Sequence, residues 1–289
     1  MIKNFYAGSA LKEERRLKEN LKFIDLVLEV LDARLPLASR NSRLQRMLGG
    51  KKIITILNKS DLADREITGR WLSILAADKR PVLAFDAKKT GGIIKLENLL
   101  LANRPQRMRY RRPLRLIVVG IPNTGKSTII NRLAGKFALR TGEKPGITRG
   151  PQWLRLRSGW EMLDTPGLLP PSLKGKRTAS VFGLAAIGAL DSNAFDEEEV
   201  ALWLLERYLA GEKTRRYLFK CYSLENDGAL DLAGDLLYAI GARRGCLIKG
   251  GQVDKKKTAW IVLRDFRKGT LGRISLEMPE DYNGIPSEG

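Results

Sequence analysis

The chain has 289 residues, of which 43% are hydrophobic and 7% aromatic, so it can form two packed domains and is not a disordered chain. It contains 52 Lys and Arg, 32 Asp and Glu, and no histidine, which gives a formal net charge of +20. The absence of histidine excludes a Ser-His-Asp triad, a histidine general base and a histidine metal site within the chain. The excess positive charge favours a polyanionic partner, because neutralising phosphates releases counterions.

The cellular compartment is indicated by cysteine usage and by the lack of long apolar runs. Cys221 and Cys246 form no CxxC pair, which favours free thiols in a reducing cytosol. No apolar run approaches the roughly 20 residues that span a bilayer, and Met1 is not followed by an apolar signal-peptide core. We therefore expect a cytoplasmic protein with no membrane partner.

Apolar runs with β-branched residues alternate with helical patterns in the first part of the chain. The predicted strands are 23–31, 52–57, 81–85 and 114–119, and the predicted helices between them are 63–77 and 93–102. This alternation predicts an α/β fold with a mostly parallel sheet covered by helices on both faces. Each run ends in a polar cluster, and ligands bind at the carboxyl ends of such strands, so these clusters should converge.

After about residue 176 the strand signals stop and helical patterns take over. Residues 196–210 have an acidic start and an apolar stripe, and 228–240 and 255–267 are also helical in pattern. We place one domain at 1–176 and a small helical domain at 177–289. The tail from Pro279 onward is expected to fray. Positive charge is clustered, at 104–112, 174–177, 243–244 and 255–257.

The segment Gly120–Ser127 fits the phosphate-binding pattern GxxxxGK[ST] between a predicted strand and a predicted helix. Its glycines let backbone N–H groups face a β-phosphate, and the following helix contributes a favourable dipole. Lys126 should bridge the β- and γ-phosphates, and Ser127 should ligate Mg²⁺. The candidate phosphate-contacting residues are Asn123, Thr124, Gly125, Lys126, Ser127 and Thr128.

A guanine-reading pattern, NKxD, is formed by Asn58, Lys59, Ser60 and Asp61 at the end of the second predicted strand. The carboxylate of Asp61 can accept two hydrogen bonds from guanine, and adenine lacks that donor pair. Alone, the segment also fits an ordinary turn or helix cap. Together with a phosphate-binding loop it is highly specific for guanine nucleotides.

Three further elements complete a GTPase set. Asp164 to Gly167 fits DxxG, in which Asp164 holds Mg²⁺ through a water and the N–H of Gly167 senses the γ-phosphate. Upstream, Thr148 can close over Mg²⁺ and the γ-phosphate. Asp86, Ala87 and Lys88, at the end of the third predicted strand, can support the base.

The order of these motifs is a rotation of the usual GTPase order, and it resembles the circularly permuted GTPases of the YlqF/RbgA (ribosome biogenesis GTPase A) family. Asp32–Pro36 resembles that family's DAR-x-P element, and Pro145–Thr148 resembles its PGxT switch. Residues 243–247 and 271–274 resemble its C-terminal segment. The resemblance implies a GTPase (G) domain at 1–176 that uses GTP/GDP and Mg²⁺, and a helical RNA- and ribosome-binding domain at 177–289.

The resemblance also implies a function and a set of partners. It implies a cytoplasmic GTPase that acts late in assembly of the large (50S) ribosomal subunit and binds the subunit precursor and its rRNA. We expect a monomer. Because the chain enters the helical domain directly after the DxxG switch, a rearrangement of the switch would pull on the RNA-binding element.

Two positions depart from the pattern that positions the attacking water. The glutamine that follows DxxG in many GTPases is replaced by Leu168, as in the resembled family. The family's catalytic histidine corresponds to Ser9, which is a poor base. The candidate catalytic residues are therefore Lys126, Thr148 and Ser9. Asn123 either supports a potassium ion, as in related GTPases, or only shapes the loop.

Two other classes of protein compete with a GTPase that binds a ribosomal precursor. A P-loop kinase or ATPase would not need the guanine reader at Asn58–Asp61. An RNA-binding scaffold with a degenerate nucleotide site would not need intact Lys126, Ser127 and Asp164, although Ser9 leaves a weakened form of this alternative open.

Overall fold

The computed structural model describes residue 15 and residues 17–77, 80–105, 112–135, 152–164, 178–225 and 230–282. The chain divides into two compact units. Of the described residues, those up to 164 and those from 277 to 282 form the sheet unit, and those from 178 to 276 form the helical unit. The boundary expected between 176 and 177 lies outside the described residues and stays a prediction.

A six-stranded sheet forms the centre of the sheet unit. Its strands are β1 (Leu26–Asp32), β2 (Lys52–Asn58), β3 (Val82–Phe85), β4 (Arg115–Val119), β5 (Gln152–Arg155) and β6 (Glu161–Asp164). The order across the sheet is β3-β2-β1-β4-β6-β5, and all neighbours are parallel except β5, which is antiparallel to β6. The predicted α/β class with a mostly parallel sheet is therefore confirmed. The two short strands β5 and β6 were not among the predicted strands.

The sheet register aligns the carboxyl ends of the parallel strands. Asp32 pairs with Asn58, and Asn58 pairs with Phe85, so β1, β2 and β3 end together. On the other side of β1, Val118 pairs with Asp164. We call this edge of the sheet, from the end of β3 to the end of β6, the carboxyl edge.

Helices cover both faces of the sheet, because every residue of β1 is buried although successive side chains point to opposite faces. Helices in the described part of the sheet unit include α1 (Pro36–Ser39), α2 (Ser42–Met47), α3 (Arg65–Ala77), α4 (Thr90–Ala102) and α5 (Lys126–Ala134). On one face Leu28 and Val30 pack with Leu96 of α4 and Ile129 of α5. On the other face Val27 packs with helical residues 17–21 and with α2, and Leu31 packs with Trp71 of α3.

The helical unit is built around α7 (Glu197–Leu209), which packs against four other helices. These are α6 (Thr178–Ala186), α8 (Glu212–Tyr222), α9 (Ala233–Arg243) and α10 (Lys255–Lys268). Asp196 caps α7 by accepting hydrogen bonds from the N–H groups of Glu198 and Glu199. Three of these helices were predicted within a few residues, whereas α6 and α8 were not. Cys221 and Cys246 are free thiols.

The segment Glu277–Tyr282 differs from the sequence-based expectation, because it packs on the sheet unit instead of fraying. The carboxylate of Glu277 accepts hydrogen bonds from the N–H groups of Leu37 (2.7 Å) and Ala38 (2.8 Å). The ring of Tyr282 meets that of Trp71 edge-on, with centroids 6.0 Å apart. These contacts join residues about 200 or more positions apart, so no local sequence pattern could have predicted them.

Candidate nucleotide-binding site

The phosphate-binding loop connects β4 to α5 at the carboxyl edge. Gly120 and Gly125 have φ values of +150° and +93°, and Asn123 adopts the left-handed conformation at +61°. A Cβ on Gly125 would run into the side-chain amide of Asn58, so both the conformation and the space require glycine here. The sequence thus folds into a tight turn that ends at the start of a helix.

The lysine and hydroxyl residues of the motif stand at the beginning of α5. Lys126 is the first residue of the helix, is 7% exposed, and its Nζ donates to the carbonyl of Ile121 at 2.9 Å. Ser127 and Thr128 follow in the first turn and are half-buried. The first N–H groups of a helix lack intrahelical partners and favour anions, so this end of α5 suits phosphate.

The guanine reader is joined to the phosphate-binding loop by two side chains. The amide Nδ2 of Asn58 donates to the carbonyl of Thr124 at 2.7 Å. The ammonium of Lys59 donates to the carbonyl of Asn123 at 2.5 Å. The structure therefore brings together two motifs that lie more than 60 positions apart in the sequence.

The reader also contains an unsatisfied acceptor. The side-chain oxygen of Asn58 is buried and accepts no hydrogen bond from the residues that the structure describes. Buried polar atoms are nearly always hydrogen-bonded in folded proteins, so a donor from a bound nucleotide or a water is expected here. The unsatisfied side-chain oxygen of Asn58 therefore agrees with a ligand bound at the guanine reader.

The third cluster of the carboxyl edge, Asp86 to Lys88, meets the guanine reader directly. The ammonium of Lys88 lies 3.1 Å from Oδ2 of Asp61. Asp86 holds the turn by accepting from the N–H of Lys88 at 2.9 Å. Arg132 of α5 donates to the carbonyl of Lys88 at 3.1 Å, a contact that sequence reasoning missed. Ala87 lies between the two charged residues of the turn.

The candidate Mg²⁺ ligands fall on neighbouring elements. Ser127 stands in the first turn of α5, and Asp164 ends β6 beside β4. Hydroxyl and carboxylate oxygens suit Mg²⁺, which takes few protein ligands and completes its shell with waters and phosphates. The described residues contain no cluster of three or more His, Cys, Asp or Glu side chains that could hold a metal ion, and Mg²⁺ does not need one, because one or two protein oxygens suffice beside waters and phosphates. The residues present therefore fit the ion.

Three predicted site residues, Ser9, Thr148 and Gly167, lie outside the described residues. Their roles stay predictions. The same holds for Leu168.

Comparisons with known proteins agree with this geometry. A family model described as "50S ribosome-binding GTPase" matches residues 115–215. Ribosome biogenesis GTPase A of Priestia megaterium is 37% identical, over 97% of this chain and 98% of that protein. The protein of the same name from Bacillus cereus is 35% identical, over 98% of this chain and 96% of that protein.

The chain belongs to the ribosome biogenesis GTPase A family. It is thus a GTPase that binds a guanine nucleotide, and the resemblance predicted from its motifs is confirmed. The crystal structure of GNP-bound YlqF from T. maritima matches with a TM-score of 0.64 at 26% identity, over 94% of this chain and 100% of that one. The permuted motif order predicted from the sequence agrees with that match.

Asp32 and Arg34 of this GTPase belong to the element that resembles the family's DAR-x-P, but the sequence alone assigned neither of them a role. Both side chains are fully buried, and Arg34 donates to Asp32 from Nε (2.9 Å) and Nη2 (2.8 Å). Burial alone would raise the pKa of the Asp32 carboxyl, but Arg34 and Lys59 hold that pKa well below its usual range. Two opposite charges directly after a buried strand are the signal that could have identified them.

A membrane crossing needs a long apolar helix, and none of the helices in the described parts of the GTPase has that length and apolarity.

Proposed function

We propose that this GTPase binds GTP and GDP with Mg²⁺ at the carboxyl edge and acts as an assembly factor late in maturation of the large (50S) ribosomal subunit. The observation that carries the nucleotide part is the pair of contacts joining the guanine reader to the phosphate-binding loop. The names of the relatives in Priestia megaterium and Bacillus cereus support the ribosomal part. A cytoplasmic location follows from that partner.

Each motif has a stated role in this proposal. Asp61 accepts the guanine N1–H and amine, Lys126 neutralises the β- and γ-phosphates, and Ser127 ligates Mg²⁺. Asp164 holds the ion through a water. The ion itself would stabilise charge on the phosphates. Thr148 and Gly167 respond to the γ-phosphate, so that the nucleotide state changes the affinity of the protein for the precursor.

The RNA-binding part of the proposal is supported by the exposed face of α10. Lys255, Lys256 and Lys257 are exposed in the first turn of this helix. One helical turn further on, Trp260 is 47% exposed and the guanidinium of Arg264 lies 5.0 Å from its ring centroid. Lysines pair with phosphates, and exposed aromatic and guanidinium planes stack on bases, so this face suits rRNA.

Hydrolysis by the protein alone should be slow. Leu168 cannot orient water, and Ser9 is a poor base, so catalysis depends on charge stabilisation by Lys126, Mg²⁺ and a potassium ion near Asn123. In this proposal the ribosomal precursor supplies the positioning of the attacking water that Leu168 and Ser9 do not provide. The protein acts as a monomer.

The test is turnover of GTP and ATP, with and without large ribosomal subunits, in potassium and in sodium. We expect slow GTP turnover that large subunits stimulate, a preference for potassium, and no comparable ATP turnover. Equal turnover of the two nucleotides would contradict the guanine site. Unchanged GTP turnover with large subunits would contradict the ribosomal role and leave the guanine site standing.

A further inference from the structure

A fully buried carboxylate, that of Asp32, lies beside the guanine reader. Asp32 is the last residue of β1 and is 0% exposed. Its Oδ1 accepts from the N–H of Arg34 (3.1 Å) and from Nε of Arg34 (2.9 Å), and its Oδ2 accepts from Nη2 of Arg34 (2.8 Å). These three bonds fix the orientation of the carboxylate, because the guanidinium fork and the carboxylate are both planar.

The same carboxylate holds the lysine of the guanine reader. Nζ of Lys59 lies 3.1 Å from Oδ2 of Asp32 and 2.5 Å from the carbonyl oxygen of Asn123. A lysine has four rotatable side-chain bonds and costs up to about 2 kcal/mol of rotamer entropy to order. With its ammonium held between a fixed carboxylate and a loop carbonyl, Lys59 is ordered before a nucleotide arrives.

The backbone of the reader also needs such a restraint. Lys59 has a φ of +58°, a conformation that residues other than glycine adopt rarely. Such a conformation persists where its surroundings hold it in place. The ion pair with Asp32 restrains this residue from its side chain, and the bond to Asn123 passes that restraint to the phosphate-binding loop.

We propose that Asp32 is a positioning residue of the nucleotide site, which holds the Lys59 ammonium against the carbonyl of Asn123 and so keeps the guanine reader and the phosphate-binding loop in one arrangement. Asp32 acts through Lys59 and does not touch the nucleotide. This proposal rests on the proposed function.

The opposite end of β1 offers a matched control. Asp25 is 4% exposed at its side chain, and its carboxylate accepts from Nη1 (3.0 Å) and Nη2 (2.8 Å) of Arg112 and from the N–H of Arg115 (2.9 Å). Asp25 directly precedes β1 and Asp32 ends it, and each carboxylate pairs with an arginine and accepts from a backbone N–H. Of the two, Asp32 also pairs with the lysine of the guanine reader, so comparing them separates positioning from general support of the fold.

The experiment compares Asp32→Asn with Asp25→Asn in the full chain, by titration with fluorescent GDP and by urea unfolding. Both variants should be destabilised, but Asp32→Asn alone should lose about tenfold or more in GDP affinity. Asp32→Glu, which keeps the charge, should recover part of that affinity. Absence of GDP binding by the unaltered protein would instead defeat the proposed function.

A second step tests whether Asp32 acts through Lys59. In a Lys59→Met background, Asp32→Asn should cause no further loss of GDP affinity, because the group being positioned is gone. Additive losses would overturn the proposal, as would equal GDP affinity in the Asp32→Asn and Asp25→Asn variants. If Asp32→Asn fails to fold, Asp32→Glu replaces it in both comparisons. Wild-type GDP affinity in Asp32→Glu would then overturn the proposal, as would a loss that adds in full to the loss caused by Lys59→Met.

Discussion

In the sheet unit, three buried charged side chains lie at the carboxyl edge, beside the phosphate-binding loop: Asp32, Arg34 and Lys126. In the helical unit, the buried carboxylate of Asp265 lies between helices, where it accepts from the hydroxyl of Tyr222 (3.3 Å) and from the guanidinium of Arg244 (3.2 Å). The first group borders loop carbonyls and a helix end that suit a ligand. The second is satisfied by side chains of its own unit.

This difference indicates why each buried charge is retained. Burying a charge is costly unless it is paired, so each group has a physical reason to be retained. At the carboxyl edge the reason is ligand binding, and the cost of a substitution should appear in nucleotide affinity and turnover. Around Asp265 the reason is packing of the helices, and the cost should appear in stability.

The largest expected effect concerns the buried lysine of the phosphate-binding loop in the sheet unit. Lys126→Ala should lower GTP turnover at least about a hundredfold, because the phosphate charge loses its buried partner. Lys52→Ala is the control, since Lys52 is an exposed lysine at the other end of β2. Turnover measured at saturating GTP decides the matter. Normal turnover in the Lys126 variant would remove the phosphate-binding role of the loop.

The next effect concerns the exposed charge of the helical unit. Replacing Lys255, Lys256 and Lys257 by Glu should weaken binding to large-subunit particles about tenfold or more at low salt and reduce its salt dependence. GDP affinity should not change. The control replaces three exposed lysines of the sheet unit, Lys18, Lys22 and Lys52, which gives the same change in net charge. Equal weakening in both triple variants would show a general charge effect instead of a binding face.

A smaller effect is expected at the segment that returns to the sheet unit. Glu277→Gln weakens two charge-assisted hydrogen bonds to the start of α1, so the free energy of unfolding should fall by about 1–2 kcal/mol. Glu280→Gln removes only an exposed ion pair with Arg70, and the fall should stay below about 1 kcal/mol. Urea unfolding of both variants makes the comparison, and equal losses would mean that Glu277 does not anchor the segment.

The smallest effect concerns the Tyr222 hydroxyl beside Asp265 in the helical unit. Burial and then the charge of Asp265 raise the pKa of the Tyr222 hydroxyl, and Arg244 offsets only part of this. A raised pKa contributes stability that is present below the unfolded value of about 10 and is lost as the pH rises above it. Tyr222→Phe should therefore cost about 1 kcal/mol at pH 8, and this difference should shrink at pH 11.

Urea unfolding at the two pH values measures this change, with the exposed Tyr238→Phe as control. A difference between Tyr222→Phe and the unaltered protein that is the same at pH 8 and pH 11 would mean that Tyr222 does not carry the alkaline loss.

Sequence patterns predicted the carboxyl edge well because its motifs follow buried strands whose register fixes where they end. Asn58 and Gly120 could be placed together for that reason. The contact between Lys59 and Asp32 could not be predicted, since it depends on side-chain directions at the ends of two strands. Helix α8 was missed because residues 212–216 are all polar and its buried residues, Leu218, Phe219 and Tyr222, all lie in the second half, which leaves an apolar pattern shorter than two helical turns. Ser9 and Thr148 stay predictions.

The central claim is that Asp61 reads guanine at a site built on the phosphate-binding loop. Calorimetric titration with GDP, ADP and xanthosine diphosphate tests it most directly, on the unaltered protein and on Asp61→Asn. We predict that the unaltered protein prefers GDP to ADP by about 10³-fold or more, because adenine lacks the pair of donors that the carboxylate accepts from guanine. Asp61→Asn should shift the preference towards xanthosine diphosphate, since an amide can donate to the xanthine carbonyl. Equal affinity of the unaltered protein for GDP and ADP would contradict this account.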